Sequence, residues 1–212
     1  MKSTNKVCLV SIDNINRIPY IEYYKKYMGK PYDIIYWNRT GSEESCGAEE
    51  QFVFNKKIRT AGAGKISKLT GYIRFANYAA KLLKRKRYNG VILMSMNCSL
   101  LLRDVLLSNY RGRYIIEVRD YWKENNRLIF NLEKKLIRYS YATIISSKAY
   151  KSFLPDYKYI VAHNVPELSD AVIQHFRTHK YNNQSQIVLS CIGGSKRLDN
   201  DKQIIKLFAN DK

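Results

Sequence analysis

The sequence predicts an α/β protein built on a doubly wound, mostly parallel sheet. Two observations predict it: short β-rich apolar runs recur along the chain, and helical patterns alternate with them. The first run, residues 6–12, reads KVCLVSI without the polar alternation of a half-exposed strand. Such a run is typical of a strand that is buried on both faces, as strands of parallel sheets are.

The individual elements follow one another in a regular order. Strands are predicted, each as a short apolar run, at residues 6–12, 32–37, 51–55, 90–95, 113–118, 142–147 and 159–162. Helices are predicted between them at residues 19–28, 66–87, 99–109, 127–139 and 148–153. Parallel strands need crossover connections, and these crossovers are right-handed almost without exception.

The pattern changes after residue 165. Residues 166–186 are polar and rich in Asn, Gln, Ser and His, which is typical of a connector between domains. A further apolar run at residues 187–192, a turn and a helix at 201–209 then begin a new βα unit. One strand and one helix cannot form a sheet of their own. We therefore predict a first domain at 1–165 and the incomplete start of a second at 187–212.

The chain is strongly basic, with a net charge of +19. This charge favours an anionic partner, which could be nucleic acid, an acidic membrane surface or a phosphorylated substrate. The four cysteines have no CxxC spacing, which indicates buried free thiols in a reducing compartment. No secretory leader or bilayer-spanning run is present in the sequence, so we expect a cytoplasmic protein, with peripheral binding to the inner face of the cell membrane as an option.

Polar side chains follow nearly every predicted strand at its carboxyl end, where open parallel sheets bind their ligands. Their carboxylate, amide, hydroxyl and guanidinium groups can pair with the hydroxyls of a sugar. The candidate binding residues are Asp13, Asn14, Arg17, Asn38, Arg39, Asn97, Arg119, Ser147, His163 and Asn164, and the catalytic candidate is Asp120. The alternative for each Asp, Asn or Ser is a helix N-cap, because the same residue types cap helices.

Several segments, in order along the chain, carry a resemblance to one group of enzymes. They are residues 11–20 (SIDNINRIPY), 32–39 (YDIIYWNR), 117–124 (EVRDYWKE), 161–168 (VAHNVPEL) and 189–208 (LSCIGGSKRLDNDKQIIKLF). Together they resemble bacterial GT-B glycosyltransferases of the family-4 type that build capsular polysaccharides and exopolysaccharides. The resemblance implies a Rossmann-like acceptor-side domain, followed by the first βα unit of a second Rossmann-like domain that binds the donor.

The resemblance also implies an activity. The enzyme would move a sugar from a nucleoside diphosphate sugar to a growing, lipid-linked glycan, without a metal or other cofactor and with retention of anomeric configuration. Gly193, with Lys196 or Arg197, would contact the donor diphosphate, and Asp120 would lie near the reacting hydroxyl.

The sequence departs from the family pattern at several places. DNIN at 13–16 stands where many members have Gly-Gly, and Lys123 stands where Pro often occurs. The acidic pair of the family's second domain has no counterpart up to Lys212, so we expect residues 1–212 alone to be inactive. The alternative function is a non-catalytic, truncated or split transferase half that binds a membrane acceptor and recruits a donor-binding partner.

The predicted helix at 66–87 carries a separate signal. An apolar stripe at helical spacing is formed by Ile66, Leu69, Ile73, Ala76, Ala80 and Leu83. The candidate membrane-facing cations beside it are Lys81, Lys84, Arg85, Lys86 and Arg87. This profile suits a helix that lies on an anionic bilayer. The alternative is a core helix whose outer face is basic.

Other classes of site are disfavoured. His175 and His179 are one helical turn apart but have no third ligand or intervening Glu, so we predict no metal site. Ser147 lacks the G-x-S-x-G context of a hydrolase nucleophile. Nucleic acid is disfavoured as the partner because no helix-turn-helix, RNP or zinc-finger pattern is present in the sequence.

Overall fold

The computed structural model describes residues 4–18, 20–57, 65–120, 126–163 and 173–174. The described residues form one seven-stranded sheet in which every neighbouring pair of strands is parallel. The strands are β1 (Thr4–Ser11), β2 (Tyr32–Asn38), β3 (Glu50–Asn55), β4 (Tyr88–Leu93), β5 (Tyr114–Val118), β6 (Ala142–Ile145) and β7 (Ile160–Val161). Their order is β3-β2-β1-β4-β5-β6-β7, which confirms the predicted doubly wound, Rossmann-like sheet.

The helices connect these strands. They are α1 (Ile21–Met28), α2 (Lys65–Lys86), α3 (Met96–Leu101), α4 (Arg103–Asn109) and α5 (Arg127–Arg138), with short 3-10 helices at Ile15–Arg17 and Lys148–Ser152. The single helix predicted at 99–109 was wrong, because the backbone leaves helical geometry at Leu102, with φ −103° and ψ 10°. Its first half also starts earlier, since the Ser95 hydroxyl accepts from the backbone N–H of Cys98 and caps α3.

Side chains that alternate along the strands form two apolar layers. On β1, Cys8 and Val10 pack into the layer that contains buried residues of α2, α3, α4 and α5. Leu9 points to the other face and packs with Ile21 of α1 and with Ile34 of β2. Both faces of the central strands are therefore covered, which explains why these strands read as continuous apolar runs.

Helix α2 buries the end of the predicted apolar stripe that contains Leu83, but not the part that contains Leu69 and Ile73. Phe75 and Ala79 are fully buried, whereas Leu69 is 60% exposed and Ile73 is 49% exposed. The aromatic residues decide the orientation: the ring of Phe75 stacks on Trp37 with 5.8 Å between the ring centroids. Aromatic rings contribute a large apolar area when they are buried, which favours this orientation. Leu69 and Ile73 therefore form a short apolar strip that faces away from the core.

Several sequence predictions fall on residues outside the described ranges. These are the connector apart from residues 173–174, the histidines His175 and His179, the strand and helix after residue 187, and Cys191. The chain divides into two compact units, Met1–Val165 and Pro166–Lys212, and the domain assignment stays a prediction. Cys8, Cys46 and Cys98 are buried free thiols, as expected. Among the described residues, no helix has the length and apolarity that crossing a bilayer requires.

One buried polar contact ties the amino ends of two strands together. The Tyr88 hydroxyl at the start of β4 donates to Oδ2 of Asp33 in β2 at 2.9 Å, and both residues are buried. Burial raises the pKa of this hydroxyl, so it stays protonated and donates.

We expect Tyr88→Phe to lower the free energy of unfolding by about 1–3 kcal/mol, because it leaves a buried carboxylate oxygen without its donor. Chemical denaturation of the wild-type protein and the variant measures this difference. Tyr141→Phe is the matched control, since Tyr141 is exposed. Equal losses of unfolding free energy in Tyr88→Phe and Tyr141→Phe would contradict a stabilising hydrogen bond between Tyr88 and Asp33.

Candidate functional site

A cleft of about 480 Å³ opens at the carboxyl edge of the sheet, at the point where β1 lies between β2 and β4. The chain leaves β1 and β4 toward opposite sides there, so the connections diverge and leave a crevice. The cleft is lined by Ser11, Ile12, Asp13, Arg17, Ile18, Tyr20, Arg39, Tyr72, Met94, Ser95, Met96, Asn97, Arg119 and Asp120.

The strand register explains why these side chains meet. Val10 of β1 is paired with Ile35 of β2 and with Leu93 of β4, and Leu93 is paired with Ile116 of β5. Three or four positions after these paired residues, each of the four chain segments carries polar side chains at the end of its strand. The delivered residues are Asp13, Arg39, Asn97, Arg119 and Asp120. With Arg17, six of the predicted site residues line one cleft.

Asn14 lies behind the cleft and holds its wall together. The residue is 0% exposed, and its amide nitrogen lies within 3.0 Å of Asn38 Oδ1, Thr40 Oγ1 and Glu44 Oε2. Its amide oxygen accepts from the backbone N–H of Arg39 at 3.0 Å. Asn14 and Asn38 are thus structural residues that fix the position of Arg39, instead of facing the cleft as predicted.

Glu44 completes this network and was missed by the sequence analysis. Its carboxylate accepts from the backbone N–H groups of Ile15 and Asn16, at 3.1 and 3.3 Å, at the start of the first 3-10 helix. The partners are about thirty positions apart in the chain. No local spacing rule reports such a contact, so the sequence offered no signal for it.

Asp13 is shared between two guanidinium groups. Its Oδ1 lies 3.5 Å from Arg17 Nη1, and its Oδ2 lies 4.0 Å from Arg39 Nη1. The guanidinium of Arg39 itself packs beside two aromatic rings, 4.5 Å from the centroid of Trp37 and 5.2 Å from that of Tyr72. Two cations of the cleft lining therefore share one carboxylate at the β1–β2 side of the cleft.

Arg119 follows β5 and is held by a buried carboxylate of that strand. Glu117 is 1% exposed, and its Oε2 accepts from Arg119 Nε at 2.5 Å. Arg119 Nη1 donates to the carbonyl oxygen of Ala162 at 3.0 Å. The Tyr24 hydroxyl donates to the other carboxylate oxygen of Glu117. The charge of Arg119 is therefore balanced, and the side chain acts as a fixed part of the wall.

The ring of Tyr20 packs against the guanidinium of Arg119. The Arg119 guanidinium lies 4.3 Å from the centroid of the Tyr20 ring, and the Tyr20 hydroxyl donates to the carbonyl oxygen of Met94 at 2.8 Å. Burial, together with the negative charge of Glu117, raises the pKa of Tyr20, so its hydroxyl stays a donor. Asp120 follows Arg119 directly and is exposed, so its carboxylate is open to a ligand.

Other predicted residues lie elsewhere. Ser147 caps the second 3-10 helix by accepting from the backbone N–H of Ala149, and His163 is exposed beyond β7. Neither lines the cleft. Asn164, Gly193, Lys196 and Arg197 lie outside the described residues. The described part of the chain contains no cluster of three or more His, Cys, Asp or Glu side chains that could hold a metal ion.

The predicted membrane-facing cations divide into two groups. Lys81, Lys84, Arg85 and Arg87 are exposed at the end of α2. Lys86 instead turns to the sheet, where its Nζ lies 2.8 and 2.9 Å from the carboxylate oxygens of Glu50. It was wrongly assigned to the outer face, because the sequence does not show that Glu50 pairs with the end of α2.

A larger hollow, of about 710 Å³, lies at the edge strand β3. Glu43 and Glu44 line it opposite Lys56 and Lys57, so its charges balance one another. It is one strand removed from the switch point and receives no residue from β1, β4 or β5. The smaller cleft is therefore the candidate site.

We expect Asn14→Ala to lower the free energy of unfolding by about 1–3 kcal/mol, because the buried polar groups around it lose their partner. Chemical denaturation measures the change. Asn16→Ala is the matched control, since Asn16 is exposed and donates to Glu44 only through its backbone N–H. A loss at Asn16 as large as that at Asn14 would contradict the structural role.

Comparison with known proteins gives structural likenesses only. No protein-family model matches the chain, and no curated protein matches it. A UDP-glucosyltransferase from Polygonum tinctorium is 12% identical with a TM-score of 0.46, over 85% of this chain and 57% of that one. Acinetobacter baumannii MurG is 10% identical with a TM-score of 0.44, over 74% and 44%.

A UDP-N-acetylglucosamine 2-epimerase from Rickettsia bellii is 9% identical with a TM-score of 0.44, over 71% of this chain and 42% of that one. The chain thus spans about half the length of the solved structures that it resembles. The assignment of the fold follows from the sheet order and strand direction, and these likenesses carry no argument for an activity.

Proposed function

We propose that this chain is the acceptor-side part of a GT-B glycosyltransferase of the family-4, capsular or exopolysaccharide type. The reaction would move a sugar from a nucleoside diphosphate sugar to a growing, lipid-linked glycan. One observation carries the proposal: six polar side chains from the ends of four strands and an adjacent 3-10 helix line a single cleft at the switch point of the sheet.

The chemistry of this cleft suits a sugar. Carboxylate, amide and guanidinium groups line it together, and hydroxyls can pair with each of these groups. Asp120 is the exposed carboxylate among them, and we assign to it the contact with the acceptor hydroxyl that reacts. A carboxylate within hydrogen-bond reach of that hydroxyl can accept its proton as the new bond forms. Asp13 is less suited to this role, because Arg17 and Arg39 already hold it.

The donor would bind to the second predicted domain. We propose that the turn at Gly193 presents backbone N–H groups to the diphosphate and that Lys196 or Arg197 neutralises its charge. The resemblance of the sequence implies no metal or other cofactor, and the proposal therefore includes none.

Helix α2 supports a position at the inner face of the cell membrane. Leu69 and Ile73 form an exposed apolar strip, and the exposed Lys81, Lys84 and Arg85 follow at the end of the same helix. An amphipathic helix of this kind lies in the interface of an anionic bilayer, where each cation near the surface contributes about 1 kcal/mol. A peripheral position would place the cleft near a lipid-linked acceptor.

We expect Asp120→Asn in the full-length gene product to lower the rate of transfer about 100- to 10,000-fold, because it removes the proton acceptor. The assay measures nucleoside diphosphate release from a panel of UDP- and GDP-sugars, with extracted membrane lipids as the source of acceptor. Asp104→Asn, at an exposed carboxylate on α4, is the control. Full activity of the Asp120 variant would contradict its role. Release from no donor, with binding to lipid retained, would favour the non-catalytic transferase half.

We expect replacement of Lys81, Lys84 and Arg85 by Gln to weaken binding to phosphatidylglycerol vesicles about 100-fold, because three cations near the surface are lost. Cosedimentation with these vesicles, and with neutral phosphatidylcholine vesicles, measures the effect. Replacement of Lys25, Lys26 and Lys30 by Gln is the control, because α1 packs on the opposite face of the sheet. Binding of duplex DNA at physiological salt, without vesicle binding, would overturn the membrane proposal.

A further inference from the structure

One edge of the Arg39 guanidinium has no protein partner. Its Nε and Nη2 are both buried, and no protein atom accepts a hydrogen bond from either in the part of the chain that the structure describes. In a planar guanidinium, these two nitrogens direct parallel N–H bonds from the same edge. This is the fork that binds the two oxygens of a carboxylate or phosphate.

The fork is held in a fixed position. The guanidinium packs against the rings of both Trp37 and Tyr72, the side chain is only 18% exposed, and Asn14 accepts from the backbone N–H of Arg39. A donor pair that is already oriented loses little entropy when a ligand binds. A buried charged donor without an acceptor is unfavourable, and a ligand oxyanion relieves that deficit.

The charges around Arg39 favour an anion. Arg119 is balanced by Glu117 at 2.5 Å, whereas Arg17 and Arg39 share Asp13. Within the cleft lining, these two cations thus have one carboxylate between them, while Glu44 lies behind the wall and accepts from the backbone N–H groups of Ile15 and Asn16. Asp120 follows β5, three strand spacings from β2, which is about 14 Å. The strand that delivers Asp120 thus lies on the other side of the cleft from β2.

A second unpaired group, the amide oxygen of Asn97, indicates that the ligand also carries a hydroxyl. Oδ1 of Asn97 is buried in the same cleft, and among the described residues no group donates to it. An amide oxygen accepts from a hydroxyl. The cleft thus offers a fork of donors to an oxyanion and, one strand beyond β1, an acceptor to a hydroxyl. A hydroxylated ligand that carries an anionic group satisfies both.

We propose that the acceptor glycan carries an oxyanion, a carboxylate or a phosphate, which Arg39 holds through Nε and Nη2 while Asn97 accepts a sugar hydroxyl. This inference rests on the proposed function and names the class of its acceptor. The oxyanion lies at the end of the cleft opposite to Asp120, so it belongs to a part of the glycan away from the hydroxyl that reacts.

The test compares methyl β-glucoside with sugars that carry an oxyanion at the sixth carbon. Methyl β-glucuronide and methyl β-glucoside differ in a carboxylate at the sixth carbon, and glucose 6-phosphate places a phosphate there. Binding of each to the full 212-residue chain is measured by calorimetry. We expect the glucuronide or the sugar phosphate to bind at least about 10-fold more tightly than the glucoside, because hydrogen bonds between charged partners are the strong ones. The tighter of the two identifies the oxyanion.

Two variants distinguish the effect of the bidentate geometry of Arg39 on binding from the effect of its charge. Arg39→Gln removes both, and Arg39→Lys keeps the charge without the bidentate geometry. We expect both variants to lose the preference for the anionic ligand. Arg111→Gln is the control, because Arg111 is exposed and lies over Tyr139, at the opposite edge of the sheet. The comparison of ligands on the wild-type chain stands even if one variant does not fold.

The outcomes are distinct. Equal binding of glucuronide, glucoside and sugar phosphate would overturn the anionic acceptor and leave the proposed function in place. Binding of inorganic phosphate as tight as that of glucose 6-phosphate, with no binding of either glycoside, would overturn both, because the sugar would contribute nothing. A preference that persists in Arg39→Lys would overturn the role of the fork.

Discussion

This structure depends on one constraint: β1 pairs with both β2 and β4, which the chain reaches by crossing in opposite directions. Val10 is in register with Ile35 on one side and with Leu93 on the other, so three strands end at one level. Their connections must then diverge, and a crevice opens between them. The polar residues that follow each strand need no special loop to meet there. A slip of one residue in either pairing would turn these side chains to the other face.

The network around Asn14 converts this crevice into a site with fixed geometry. Asn14 joins the segment after β1 to the loop after β2, and Glu44 ties the same loop to the first 3-10 helix. Such contacts exchange water for a protein partner, and the buried ones must stay satisfied. Arg39 is oriented as a result, while two of its nitrogens are left without an acceptor among the described residues. Rigid support combined with unpaired donors is the arrangement expected of a ligand-binding residue.

Much of the fold could be predicted from the sequence, because buried parallel strands leave a clear apolar pattern. The run around Cys8 to Val10 is an example, and the strand-end positions of Asp13, Arg39, Asn97 and Asp120 follow from it. What escaped prediction depends on contacts between distant residues. The stacking of Phe75 on Trp37 set the buried face of α2, and the pairing of Lys86 with Glu50 removed one cation from the outer surface. Helical periodicity alone could not show that the part of the predicted stripe at Leu69 and Ile73 is exposed.

The large positive charge of the chain is distributed between separate surfaces. Cations at the end of α2 follow the exposed Leu69 and Ile73 on the same helix, whereas Arg17, Arg39 and Arg119 surround the cleft. The net charge alone therefore did not identify a partner, because a bilayer and an anionic ligand each account for part of it. We propose that the two surfaces act on one substrate: α2 meets the membrane that carries the lipid, and the cleft meets the glycan.

The most direct test of the acceptor site is the location of a bound sugar. Backbone amide chemical shifts of the isotopically labelled chain can be followed by NMR during titration with methyl β-glucuronide. We expect the largest shifts to fall on Asp13, Arg39, Asn97 and Asp120, at the ends of four strands. Shifts confined to α2 or to the hollow beside β3, or no shifts at all, would contradict the claim that the switch-point cleft is the acceptor site.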